Sequence, residues 1–131
     1  MAFFSGKQAE EERTLGLYIH IPFCVRKCDY CDFYSVSGRS DSRMDDYLTA
    51  LNLHLAESAP AAQPYLVDTI YFGGGTPSHF GGDRLAAILR TIRKYYRVAK
   101  NCEITVELNP DSTDKTLLNT LKKAGVNRLS M

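Results

Sequence analysis

Thr69-Ile70-Tyr71-Phe72-Gly73-Gly74-Gly75-Thr76-Pro77 is a β-branched and aromatic run that breaks off at three glycines and a proline. Such a run reads as a strand, and the glycines with Pro77 read as a sharp turn out of it. Beyond the turn, from Asp83, the apolar residues Leu85, Ile88, Leu89, Ile92 and Tyr96 recur at helical spacing. Arg93, Lys94 and Arg97 then sit where a helix dipole favours cations. Ahead of the strand, Met44, Tyr47, Leu48, Leu51 and Leu55 predict another amphipathic helix, preceded by the turn-rich segment Ser35 to Ser42. Further out, Leu15 to Ile21 alternates as a first strand and stops at Pro22. Glu103 to Leu108 predicts a third strand, closed by Asn109-Pro110. A third helix, capped near Thr113, carries Leu117, Leu118 and Leu121 and ends at Gly125. Val126 to Met131 reads as a fourth strand.

Strands alternating with helices in this way require parallel strands with the helices packed outside. The fold class is α/β: a parallel (β/α) partial barrel of TIM type, cut off after about four strands, where a complete barrel takes ~250 residues. Residues 1–14 are expected to be a flexible leader, and 15–131 the N-terminal part of the core domain. Because the fourth strand stops at Met131 without a covering helix, the first and fourth strands are expected to present unpaired edges. The fragment would then associate and be inactive alone. The 131 residues carry 16 Lys and Arg against 15 Asp and Glu, a net charge of +1, and are 44% hydrophobic. That composition supports a packed core and gives no sign of nucleic acid or membrane contact. With no apolar signal segment at the start, the expected location is cytoplasmic.

Cys24, Cys28 and Cys31 stand as C-x3-C-x2-C directly after the first strand. Four cysteines in a chain of this kind point to a metal site more than to disulfides. Iron–sulfur clusters are usually held by four thiolates. Three would leave one iron open to a small molecule, as catalytic zinc sites keep an open position. Arg26 and Lys27 would partly offset the thiolate charge. A structural zinc site completed by His20 or His54, or unrelated buried cysteines, remains the alternative reading of the spacing alone.

The cysteine loop with Tyr18-Ile19-His20-Ile21-Pro22-Phe23 resembles the start of the radical S-adenosylmethionine superfamily, and the spacing matches that family's signature. Similarity continues through Tyr71 to Pro77, Glu107-Leu108-Asn109-Pro110 and Asn127 to Met131, nearly the whole chain. These stretches resemble the branch that holds the oxygen-independent coproporphyrinogen III oxidases and the HemW-like heme chaperones. The oxidases carry a further cysteine two positions after the third ligand; here that place is Phe33, which favours the chaperone type. The resemblance implies a [4Fe-4S] cluster on Cys24, Cys28 and Cys31 with S-adenosylmethionine chelated to the open iron. It also implies porphyrin or heme as partner, heme as a further cofactor, and an electron donor of flavodoxin or ferredoxin type. One electron from the reduced cluster would split the sulfonium to give methionine and a 5′-deoxyadenosyl radical. The oxidase version would use it to decarboxylate propionates, whereas a chaperone would bind heme without oxidase turnover.

Several residues are candidates for the rest of the site. The glycine run lets a backbone approach a ligand closely and offers unobstructed amides; it lacks the lysine of a phosphate loop. The resemblance places Gly74, Gly75 and Thr76 against the amino group of the methionine moiety. Alternation puts Ile104, Val106 and Leu108 on the helix side, so Glu107 should face the barrel interior at its C-terminal rim, where barrel sites lie. The resemblance assigns it to S-adenosylmethionine. Tyr18 is inward on the first strand, and Tyr30, between two ligands, would lie near the adenine. His20 is inward too, either touching the cofactor or hydrogen-bonded in the core. His54, His79 and Cys102 carry no role.

Overall fold

The computed structural model describes residues 2–5, 13–24, 36–37 and 41–131, with the backbone alone for 2–5 and 36–37. Its strands are β1 (Ala2–Ser5), β2 (Thr14–Ile21), β3 (Phe23–Cys24), β4 (Val36–Ser37), β5 (Leu66–Gly74), β6 (Val98–Glu107) and β7 (Arg128–Ser130). Its helices are α1 (Asp41–Ala62), α2 (Pro77–Phe80), α3 (Gly82–Tyr95) and α4 (Lys115–Ala124), with a 3-10 turn at Pro110–Ser112.

Alternation in β2 sorts its residues as the sequence leads one to expect. Leu15, Leu17, Ile19 and Ile21 are buried, whereas Gly16, Tyr18 and His20 turn to the other face. The same side takes Val67, Ile70 and Phe72 from β5, and Ile104 and Val106 from β6. Against these the helices lay Met44 and Leu55, then Leu85, Ile88, Leu89 and Ile92, then Leu117 and Leu121, in one continuous cluster. Each large aliphatic chain buried there contributes ~1.5 to 3 kcal/mol. The strands run β1-β2-β5-β6-β7 across the sheet, with β2, β5, β6 and β7 parallel and in chain order. Sequential neighbours with all the helices on one face are the winding of a barrel wall, so the partial barrel is present. Its inner face is the surface that bears Tyr18, Tyr71 and Glu107.

The structure departs from the sequence reading at the element ends. Within the expected leader, β1 pairs antiparallel with β2, Ala2 opposite Leu17 and Ser5 opposite Thr14. The open ladder of β2 is thus covered, and the expectation of an unpaired edge there does not hold; Ala2-Phe3-Phe4-Ser5 is short but rich in aromatic residues that suit a strand. Within the turn-rich segment, Val36–Ser37 pairs with Phe23–Cys24. The helix α4 is capped by Asp114, whose carboxylate accepts from the Leu117 amide at 2.8 Å, rather than by Thr113. At its far end Gly125 takes the left-handed conformation, φ 104°, and Arg93 donates to the Ala124 carbonyl at 2.6 Å. The fourth parallel strand shrinks to Arg128–Ser130 because Val126 closes α4 and Asn127 bonds sideways. Asn127 imitates a strand: its side chain accepts from the Ile104 amide at 2.8 Å and donates to the Cys102 carbonyl at 2.9 Å.

Removing that side chain leaves two backbone groups of β6 without partners. Asn127→Ala is therefore expected to destabilise the protein by about 1 to 3 kcal/mol, read as a lower urea midpoint at unchanged slope.

Candidate functional site

The inner face is organised by strand register. Tyr18 of β2 lies opposite Tyr71 of β5, which lies opposite Thr105 of β6, so Glu107 falls one inward position further along. The rings of Tyr18 and Tyr71 stack at 6.0 Å and 18°. Tyr71 donates its hydroxyl to Glu107 Oε2 at 2.7 Å, and the Gly74 amide donates to Glu107 Oε1 at 3.2 Å. Tyr18 and His20 Nδ1 are hydrogen-bonded at 3.3 Å. Gly73 makes this convergence possible: a Cβ there would lie 3.0 Å from the Tyr18 hydroxyl and 3.1 Å from Glu107 Oε1. The hydrogen bond to Glu107, then burial and the carboxylate charge, raise the Tyr71 hydroxyl pKa. Burial, then Glu107, raises that of Tyr18. Both phenols are thus neutral donors beside a carboxylate that has about four acceptor positions, not all of them used.

The glycine turn packs against the root of the cysteine loop. Gly75 donates to the Ile21 carbonyl at 2.8 Å, and Thr76 donates to the Phe23 carbonyl at 2.7 Å. With Gly74 bonded to Glu107, all three amides have acceptors, which corrects the expectation that they stand open to a ligand. The strand exit consumes them, and what remains toward the rim is carbonyl oxygen and the Thr76 side chain. Gly74 has φ +114°, a conformation that suits glycine. At Gly75 a Cβ would meet the Phe23 carbonyl oxygen at 2.7 Å and Cys24 Sγ at 2.8 Å. The thiol of Cys24, itself buried, therefore lies directly over the glycine.

An aromatic clamp fixes that root. Phe23 stacks on Phe80 at 5.6 Å and meets Tyr47 edge-on at 5.6 Å. Tyr47 also donates to the His20 carbonyl. Arg84 lies over Phe80, donates to its carbonyl at 2.9 Å, and pairs with Asp45 at 3.0 Å and Asp41 at 3.3 Å near the start of α1. A cavity of about 250 Å3 opens at the rim between Gly75, Thr76 and Pro77 on one side and Glu107, Leu108 and Asn109 on the other.

Of the sequence candidates, Tyr18, Cys24, Gly74, Gly75, Thr76 and Glu107 converge on this rim. Cys28, Cys31, Tyr30 and Phe33 lie outside the described residues. His20 is exposed rather than in the core and is tied to Tyr18; His54 is exposed in the middle of α1. Among the described residues no three His, Cys, Asp or Glu side chains group as a metal site. Cys102 faces the helices, and burial first, then Asp68, pushes its thiol up to about 11. Tyr71, Tyr47 and Ser78 were not picked out from the sequence. Tyr71 was legible, since it shares a face with Gly73 by strand alternation; Tyr47 is marked only as part of the apolar face of a helix, and no pattern marks Ser78.

The family model of the Radical SAM superfamily matches residues 18–131. The heme chaperone HemW of Escherichia coli (strain K12) is 41% identical over 117 residues, 89% of this chain and 31% of that protein. HemW of Mycobacterium tuberculosis (strain CDC 1551 / Oshkosh) is 39% identical over 121 residues, 91% of this chain and 31% of that protein. The oxygen-independent coproporphyrinogen III oxidase of Escherichia coli (strain K12) is 32% identical over 130 residues, 99% of this chain and 28% of that protein. The solved structure of Escherichia coli coproporphyrinogen III oxidase (HemN), a radical SAM enzyme, superposes with a TM-score of 0.81 at 31% identity, covering 88% of this chain and 27% of that one. The chain thus spans 31% or less of these relatives. No helix among the described residues is long and apolar enough to cross a membrane.

Gly75→Ala is expected to push the Cys24 thiol and the glycine turn apart, lowering the melting temperature and speeding reaction of Cys24 with a thiol reagent. Cys102 is expected to behave oppositely. Its pKa is raised on folding from 9.0 to about 11, so its contribution to stability is full below pH 9.0 and lost as pH climbs through about 11. Alkaline unfolding curves of Cys102→Ala should lack that component.

Proposed function

The chain belongs to the radical SAM superfamily, and from this we propose that it binds a [4Fe-4S] cluster through Cys24, Cys28 and Cys31, together with S-adenosylmethionine along the glycine turn. The observation that carries the reading is the contact between Cys24 Sγ and Gly75, which brings a thiolate donor and the candidate ligand-binding segment into one site. The donor set fits: soft thiolate suits iron–sulfur, and glycine leaves the space over which the sulfur lies. His20 and His54 are placed to give little support to a zinc alternative. Glu107, fixed by Tyr71 and Gly74, would accept from an ammonium or ribose hydroxyl of S-adenosylmethionine. The carbonyl side of Gly74 and Gly75 offers further acceptors, and Thr76 a hydroxyl. Tyr18 would line the interior beneath them, and Tyr30 would lie near the adenine. A cluster bound there would supply the single electron that cleaves the sulfonium, and the residues named here would hold and orient the ligand. The electron donor would be of flavodoxin or ferredoxin type.

Within the family we favour a HemW-like heme chaperone, with heme or porphyrin as its partner. It is supported by the 39% and 41% identities to HemW proteins against 32% to the oxidase, and by Phe33 where the oxidases carry cysteine. Oxygen-independent coproporphyrinogen III oxidation is the second reading, favoured by the superposition on the HemN structure. Heme titration followed by absorbance, alongside carbon dioxide release from coproporphyrinogen III, separates them.

Anaerobic reconstitution is expected to give one [4Fe-4S] cluster, lost in Cys24→Ala, Cys28→Ala and Cys31→Ala and kept in Cys102→Ala. Equal iron and acid-labile sulfide in Cys28→Ala and parent would overturn the assignment. Glu107→Ala should keep the cluster and bind S-adenosylmethionine roughly ten- to a hundredfold more weakly, since a charge-assisted hydrogen bond is worth ~1.5 to 3 kcal/mol; calorimetry reads the difference.

A further inference from the structure

The two walls of the rim cavity are bridged in two places. The inner bridge, on the strand side, has the Gly74 amide donating to Glu107 Oε1 at 3.2 Å. The outer bridge, on the α2 side, has the Asn109 amide donating to Ser78 Oγ at 3.1 Å, with the Ser78 and Ser112 hydroxyls sharing a hydrogen bond. Ser112 Oγ donates in turn to the Asn109 carbonyl at 3.2 Å, so Asn109 is held from both its amide and its carbonyl side. Ser78 is only 4% exposed, and it follows Pro77, whose ring fixes the first turn of α2. Only Pro77 separates Ser78 from Thr76, and only Leu108 separates Asn109 from Glu107. The outer bridge therefore sets the spacing of the two walls that carry the candidate ligand groups.

The bridges differ in chemistry. The inner one uses one acceptor position of the Glu107 carboxylate, the group whose remaining positions a cationic ligand would draw upon. The outer one uses no carboxylate and none of the ligand-facing atoms. We propose that Ser78 is a positioning residue that keeps the Glu107–Asn109 turn at a fixed separation from the glycine turn while Glu107 engages the ammonium of a sulfonium amino-acid ligand. The proposal rests on the S-adenosylmethionine reading above. Without the hydroxyl, the Asn109 amide is left without its acceptor and the turn must shift to satisfy it. The cavity is then no longer organised before the ligand arrives, and affinity falls.

The test is calorimetric titration of S-adenosylmethionine into the anaerobically reconstituted parent, Ser78→Ala, Ser78→Thr, Ser112→Ala and Leu121→Ala. Ser78→Ala should bind about tenfold more weakly, the scale of losing one buried hydrogen bond. Ser78→Thr should restore the affinity, because it keeps the oxygen and the adjoining groove of about 690 Å3 has room for a methyl. Leu121→Ala empties core volume under α4, and should lower the melting temperature without touching affinity. Amide exchange at Asn109 should quicken in Ser78→Ala with or without ligand. Parent affinity in Ser78→Ala, or an equal loss in Leu121→Ala, overturns the positioning role. Failure of the parent to bind S-adenosylmethionine overturns the underlying reading and this one with it. Should Ser78→Ala not fold, Ser112→Ala decides: a few-fold loss supports the latch, and unchanged affinity refutes it.

Discussion

The close approach of the glycine turn to the backbone at Ile21–Cys24 is the constraint on which the site depends. The amides of Gly75 and Thr76 are hydrogen-bonded to the carbonyls of Ile21 and Phe23, and these bonds form only if no side chain stands between the two segments. Any Cβ at Gly75 would fall within 2.9 Å of Phe23 and Cys24 atoms, and one at Gly74 would fall within 2.8 Å of His20 and the Ile21 carbonyl. The turn is thus glycine for reasons of packing before any ligand is considered. The same packing brings the first cysteine over the end of β5, so a requirement of the backbone also assembles the candidate site.

Support for that contact comes from apolar surface more than from charge. Phe23, Tyr47 and Phe80 form a three-ring cluster with edge and stacked geometries, and such pairs add about 0.5 to 1.5 kcal/mol beyond the area they bury. The carboxylates that meet Arg84 are 66% and 65% exposed, where ion pairs are worth little. The part of Arg84 that matters is the covering of Phe80 and the bond to its carbonyl, which together tie α3 to α2 and so to the glycine turn. Glu107 likewise is a structural acceptor first, bonded to Tyr71 and Gly74, and a ligand group only through the acceptor capacity left over.

Periodicity made the main course of the chain readable. Leu85, Ile88, Leu89 and Ile92 could be placed on one helix face, and Ile104 and Val106 against Glu107, because burial follows the 3.6 and 2.0 repeats of the backbone. The ends were less readable, since they depend on neighbours distant in sequence. Asn127 looks like part of a strand, yet its side chain does the pairing; Ala2–Ser5 lies in a segment dominated by charged residues after it; and the amides of Gly74, Gly75 and Thr76 look free until β2 and β6 are set beside them. Ser78 could not be found at all, because one serine after Thr76-Pro77 has no pattern, and its meaning comes only from Asn109, 31 residues away.

A strand has only two sides on which to form ladders, and both sides of β2 are taken, one by β5 and the other by the antiparallel β1. A wholly parallel ring therefore cannot close through β2. Among the described residues the sheet ends at β1 on one side and at β7 on the other. The short strand at the start of the chain thus occupies the ladder that a parallel neighbour of β2 would need.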